Sequence, residues 1–182
     1  MDRLLEEVLV IGKADYGKLE CQLAALNIQE FCNCLVEDLE FDADNKDIKI
    51  ILECELTLAE INCELLAAAL RSRDLLQHIF GNLLTNAIKY SPRGSKIFFR
   101  VSNTQKDVIF QVQDCGIGIP LTEQKQLFEP FFRASNVDLI PGTGLGLTIV
   151  KKCVDLLRGQ ISVTSELGAG TNFTVILPLQ CC

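Results

Sequence analysis

Apolar residues recur along the chain with two different periods. Leu4, Leu5, Val8, Leu9 and Ile11 fall on one helical face, so a helix is expected over residues 1–16, loosened by Gly12 and Gly17. Asn27 then stands as an N-cap. It precedes a helix with Ile28, Phe31, Leu35 and Leu39 at helical spacing, which an acidic loop from Asp42 to Asp47 should close. From Lys46 the period becomes two: Ile48, Ile50, Leu52 and Cys54 alternate with Lys49, Ile51 and Glu53, which predicts a strand. Residues 57–70 have helical composition but sit where another strand would fit, and the pattern leaves both open.

Ser72 can cap a long helix over 73–90, which Pro92 and Gly94 end. Two strands follow, with Ile97, Phe99 and Val101 on one face and Val108, Phe110 and Val112 on the next, joined by a turn from Asn103 to Lys106. A glycine-rich loop (114–120), a short helix (121–128) and an irregular stretch (129–141) lead into a helix over 144–157. Strands at 160–165 and 172–178 close the chain across Gly168 and Gly170. The expected fold is a two-layer α/β sandwich, a mixed sheet with helices on one face and a short N-terminal helical extension.

Composition narrows the setting. Apolar residues make up 48% and charged residues 23% of 182 positions, enough for one domain with a real core. The net charge of −7 and the lack of a basic stripe argue against nucleic acid as a partner. Charges interrupt the apolar stretches before they could span a bilayer, and the run Asp2-Arg3-Leu4-Leu5-Glu6-Glu7 does not resemble a leader. A cytoplasmic setting is expected, whether or not a parent protein is membrane-bound. Nine cysteines (Cys21, Cys32, Cys34, Cys54, Cys63, Cys115, Cys153, Cys181 and Cys182) contain no CxxC pair and no nearby histidine cluster. They read as free thiols in a reducing compartment.

Three segments carry candidate chemistry. Asn82, Asn86, Lys89 and Tyr90 form one polar stripe on a helix whose adjoining stripe is Leu76, Ile79, Leu83 and Ala87. A carboxamide oxygen can ligate Mg²⁺ and a lysine can hold phosphate, although such a stripe also fits an ordinary solvated face. Asp114-Cys115-Gly116-Ile117-Gly118-Ile119-Pro120 follows a strand directly. A carboxylate there accepts hydrogen bonds only and suits an exocyclic amine, although a plain glycine turn has the same spelling. Gly142-Thr143-Gly144-Leu145-Gly146-Leu147 runs into a helix, where backbone N–H groups can meet phosphate. It is neither a Walker loop nor a dinucleotide fingerprint.

In this order, with Phe128-Glu129-Pro130-Phe131-Phe132-Arg133 between the two glycine loops, these segments resemble the N, G1, F and G2 boxes of sensor histidine kinases. Gly168-Ala169-Gly170-Thr171 resembles the G3 element, and the likeness covers residues 46–178. It implies the catalytic ATP-binding domain of a two-component kinase, of the GHKL (Bergerat) type, over residues 46–182. Residues 1–45 would then be the end of a dimerisation helix and a connecting helix.

The resemblance implies roles as well. Asn86 would coordinate Mg²⁺, with Asn82 near the same metal or the phosphates. Lys89 and Arg133 would face phosphate and Tyr90 would pack near the nucleotide. Asp114 would take the adenine amine, with Gly116 and Gly118 beneath the ring, Ile117 among the nucleotide-binding residues and Thr171 by the adenine pocket. Phe131 would belong to a mobile ATP lid over 129–141, with few anchors. Gly142, Thr143, Gly144, Leu145, Gly146 and Leu147 would form the lid hinge and phosphate loop. ATP and Mg²⁺ are the implied cofactors. The implied partners are a dimerisation domain carrying the phosphoacceptor histidine and a response regulator, and the isolated chain is expected to be monomeric.

Two departures stand out. Gyrase- and MutL-type ATPases of this fold carry a glutamate base four residues before the metal-binding asparagine. Asn82 occupies that place and cannot take a proton at neutral pH. That favours transfer to another group over hydrolysis, with a stand-alone ATPase or a degenerate binding module as alternatives. The phosphoacceptor helix is expected upstream of position 1, which would make this chain a catalytic half. The single histidine, His78, lies within the N-box helix and is a poor acceptor candidate.

Overall fold

The computed structural model describes residue 12 and residues 27–56, 73–137 and 140–179. The helix expected over 1–16, the ambiguous stretch 57–70 and the Ser72 cap lie outside these, Gly12 excepted. Helix α1 (Ile28–Asp44) begins where expected, because the Asn27 side chain accepts a hydrogen bond from Glu30 N at 3.3 Å. It runs to Asp44, past the point where the acidic loop was expected to start. Strand β1 (Lys49–Glu55), helix α2 (Arg73–Tyr90), strands β2 (Lys96–Asn103) and β3 (Asp107–Gln113), helix α3 (Gly146–Leu156) and strands β4 (Gln160–Glu166) and β5 (Gly170–Pro178) complete the fold. The expected short helix over 121–128 is reduced to a 3₁₀ turn at Gln124–Gln126, and a second 3₁₀ turn spans Ser135–Val137.

The five strands form one sheet in the order β1-β2-β3-β5-β4. β1 pairs parallel with β2 and every other pair is antiparallel, so the sheet is mixed. Alternate residues of β2, β3 and β5 are buried against the helices. Phe99, Phe110 and Val175 come from these rows and meet Phe80, Ile79 and Leu83 of α2. Phe80 lies 4.4 Å from Phe110 and 5.5 Å from Phe99 between ring centroids. α2 also packs on α3, and α1 packs on α2 and β1. This is the expected two-layer α/β sandwich.

α1 packs into the core of the sheet. Ile28, Phe31, Cys32 and Leu35 are buried in the same cluster as the inward rows of the strands. Lys46 reinforces the join. Its ammonium donates to the carbonyls of Ile88 (3.0 Å), Lys89 (2.8 Å) and Ser91 (3.2 Å), the acceptors that the end of α2 leaves open. The described cysteines, Cys32, Cys34, Cys54, Cys115 and Cys153, are all free thiols, as expected. Burial pushes Cys32 and Cys153 up to about 12, which keeps both protonated and unreactive. No described helix is long and apolar enough to cross a membrane.

Candidate functional site

A cavity of about 370 Å³ opens between α2, the 114–120 loop, residues 132–137 and 141–146, and the start of β5. One wall is the last two turns of α2. Helical spacing brings Asn82, Thr85, Asn86, Lys89 and Tyr90 to one side because Leu76, Ile79, Leu83 and Ala87 face the core. Asn82 is fixed by its Nδ2, which donates to His78 O at 2.8 Å. Its Oδ1 faces the start of α3, 2.9 Å from where a Cβ on Gly146 would sit. The Asn86 carboxamide has no hydrogen-bond partner among the described residues. Lys89 Nζ lies 4.8 Å above the Tyr90 ring and meets no carboxylate among them. A Cβ at Gly142 would come within 2.7 Å of that ammonium, so glycine keeps the cation accessible.

The opposite end is built around Asp114. Its side chain is 7% exposed, and its Oδ1 accepts from Gly116 N (2.8 Å) and Thr171 N (3.2 Å). Among the described residues Oδ2 receives no donor. Burial raises the Asp114 pKa, and the N–H bonds from Gly116 and Thr171 partly oppose this. Asp114 N donates in turn to Thr171 O at 2.9 Å, which ties the loop to the first residues of β5. Ser165 on β4 completes the tie by accepting from Ile119 N (2.9 Å) and contacting Gly170 O (2.8 Å) and Thr171 Oγ1 (2.9 Å).

Most of the candidate residues are thus brought together. Asn82, Asn86, Lys89, Tyr90, Asp114, Ile117, Gly118, Arg133, Gly142, Thr143, Gly144, Gly146, Leu147 and Thr171 all line the cavity. Three others do not. Gly116 lies behind the wall, where a Cβ would come within 2.7 Å of Tyr90 O. Leu145 is 1% exposed and turned into the protein. Phe131 is 67% exposed with φ 63°, and its backbone rather than its ring packs on Gly144.

Arg133 lines the cavity, but its guanidinium Nη2 also donates to Val137 O at 2.7 Å and to Ile140 O. The expectation of a lid with few anchors is corrected too. Glu123 accepts from Ser135 N (2.9 Å) and Oγ (2.7 Å), and Asn136 Nδ2 donates to Gly118 O at 2.8 Å. Residues 138–139 of that segment lie outside the described residues.

Sequence reasoning missed Thr85, Ile119, Leu127, Phe132, Ala134, Val137, Pro141 and Phe173 on the cavity wall. Two of these left a signal. Thr85 lies three residues after Asn82 on the same helical side, and Phe173 shares the inward period of two with Thr171.

Residues 71–181 match the family described as histidine kinase-, DNA gyrase B- and HSP90-like ATPase. The chain belongs to this family. Over 179 residues it is 34% identical to the circadian input-output histidine kinase CikA of Synechococcus elongatus, covering 97% of this chain and 23% of that protein. The structure of full-length ShkA in complex with AMPPNP matches 97% of this chain and 36% of that chain at 25% identity and a TM-score of 0.77. The catalytic domain of the histidine kinase ThkA matches in fold at TM-score 0.66 and 24% identity, over 84% of this chain and 94% of that one. The chain spans 21%, 35% and 23% of three of the curated relatives it matches, all of them kinases by name.

The cavity suits the ligand of such a domain. Among the described residues, it offers a carboxylate oxygen of buried Asp114 without a donor at one end, and the Asn86 carboxamide without a hydrogen-bond partner and the Lys89 ammonium without a carboxylate at the other. Close-packed glycines lie between them.

Proposed function

We propose that this chain binds Mg-ATP and passes the γ-phosphate to a histidine on a dimerisation domain. The observation that carries this reading is the polarity of one cavity, with acceptors at the Asp114 end and an amide and cation stripe at the Asn86–Lys89 end. Asp114 Oδ2 would accept from the exocyclic amine of adenine, and Ile117 and Gly118 would lie against the base. Lys89 and the backbone of 142–146 would hold phosphate oxygens. Asn86 would ligate Mg²⁺, whose chemistry is to neutralise charge on the phosphates during transfer. The AMPPNP complex of ShkA supports a nucleotide in this fold.

Transfer to a protein group is favoured over hydrolysis by Asn82. It occupies the place of a general base, its Nδ2 is committed to His78 O, and a carboxamide takes no proton near neutral pH. Positioning of the acceptor then supplies most of the rate. The residues before α1 would lead to the dimerisation domain, and α1 belongs to the ATPase unit because it shares the core. A response regulator would receive the phosphate downstream, on the cytoplasmic side.

The test uses γ-labelled ATP with the chain alone and with a dimerisation domain bearing its histidine. Acid-labile, base-stable label on the added domain is expected, with none on the chain alone. Fast phosphate release without protein label would make the chain an ATPase instead. Label on the chain that disappears in His78→Gln would make it its own acceptor.

A further inference from the structure

Ser165 is the hub of hydrogen bonds behind the Asp114 end of the cavity. Its hydroxyl has three neighbours: Ile119 N, which donates to it at 2.9 Å, Gly170 O at 2.8 Å and Thr171 Oγ1 at 2.9 Å. A hydroxyl has one proton and two acceptor lone pairs. A carbonyl can only accept, so the Gly170 contact takes the Ser165 proton. The Ile119 N–H fills one lone pair. The remaining contact is satisfied only if Thr171 donates its own proton to Ser165. Any other arrangement leaves one of the three contacts without a hydrogen. This proton count depends on the tertiary structure, since Ile119 lies 46 residues from Ser165.

We propose that Ser165 is a positioning residue for base selectivity, fixing the Thr171 hydroxyl so that it presents only lone pairs to the cavity. Thr171 is buried and lines the cavity beside Asp114. Asp114 Oδ1 is filled by two N–H groups, so Oδ2 is its open acceptor. With Thr171 turned inward, both open groups at this end accept and neither donates. Such a floor matches an exocyclic amine, directly or through one water, and disfavours a base with a carbonyl in that position. Ser165 acts through Thr171 and lies on the far side of it from the cavity. The inference rests on the proposed adenine nucleotide.

The experiment compares ATP with ITP, whose hypoxanthine carries a carbonyl in place of the amine, by calorimetric titration of wild type, Ser165→Ala and Thr171→Val. Ser165→Ala frees the Thr171 proton to donate into the cavity, so ITP affinity should rise and the ATP-to-ITP ratio should narrow roughly threefold to tenfold. Thr171→Val removes the acceptor and its bond to Ser165 but leaves no hydroxyl proton to turn into the cavity, so it should narrow the ratio by weakening ATP alone. It serves as the second reading if Ser165→Ala is too unstable to titrate. An unchanged ratio in both variants, beside a wild type that prefers ATP, overturns the Ser165 role and leaves nucleotide binding standing. A wild type that binds neither nucleotide overturns both.

Discussion

Gly170 sits directly against the backbone of Asp114: a Cβ there would collide with the Asp114 carbonyl oxygen. Its φ of +106° lies in a region open to glycine and strained for other residues. Gly168, two residues earlier, also has positive φ, but a Cβ there would meet nothing within 4 Å. Gly170→Ala should therefore destabilise the fold by more than about 3 kcal/mol and displace Asp114 from the cavity. Gly168→Ala should cost about 1 kcal/mol, the backbone strain alone. Urea unfolding of both variants checks the difference, and equal losses would mean that the contact with Asp114 is not what requires glycine.

Asn86 and Asn82 should separate binding from folding. The Asn86 carboxamide has no partner to lose among the described residues, so Asn86→Ala should leave the melting temperature within a degree or two, on the order of a neutral substitution. Mg-ATP affinity should drop roughly tenfold or more, and the drop should shrink when Mg²⁺ is chelated. Asn82→Ala removes the bond to His78 O and empties space beside Gly146, so it should lower stability as well. Titration with and without Mg²⁺ reads the first effect and thermal melting the second.

Asp114 gives a signed pH dependence. Burial holds its carboxyl above the ordinary value of 3.8, against the pull of the two N–H groups. The folded protein therefore binds this proton more tightly than the unfolded chain does. The resulting stability is full below pH 3.8 and is lost as pH rises through the folded value. Asp114→Asn should lack that slope. ATP binding should run the other way, weakening as pH falls through the same window, because the amine needs the carboxylate. In Asp114→Asn an N–H would face the amine, so the ATP-to-ITP preference should invert. Paired melting and titration curves at stepped pH would expose either sign as wrong.

The 133–137 segment is held by Glu123. Its carboxylate takes both the backbone N–H and the hydroxyl of Ser135, on an exposed surface. Glu123→Ala should speed hydrogen exchange over 133–137 roughly threefold to tenfold while leaving the melting temperature nearly unchanged. Exchange that stays equally slow would show that Arg133, through Val137 O and Ile140 O, and Asn136, through Gly118 O, hold the segment without it.

The sequence by itself determined the elements and the order of the chemistry. A period of two marked β1, β2 and β3, and a period near four marked α2 with Asn82, Asn86 and Lys89 on one side. The Asn27 cap fixed the start of α1. These are local properties, set by how successive side chains point from a helix or a strand. Four ordered motifs then named the family without any knowledge of contacts.

What only the tertiary structure decided involves residues far apart in the chain. α1 joined the core because Phe31 and Leu35 are buried where it packs on α2 and β1, and helical periodicity does not say what a face will cover. Leu145 and Gly116 sit inside cavity motifs yet turn away, one into the core and one beneath Tyr90 O. Ser165 carried no motif signal at all. Its position opposite Thr171 is set by the β4–β5 register, and its bond to Ile119 by the folding of a loop from before β4 onto that pair. Register and loop docking minimise unsatisfied polar groups over the whole molecule. No window of sequence contains all the groups that such a count must satisfy.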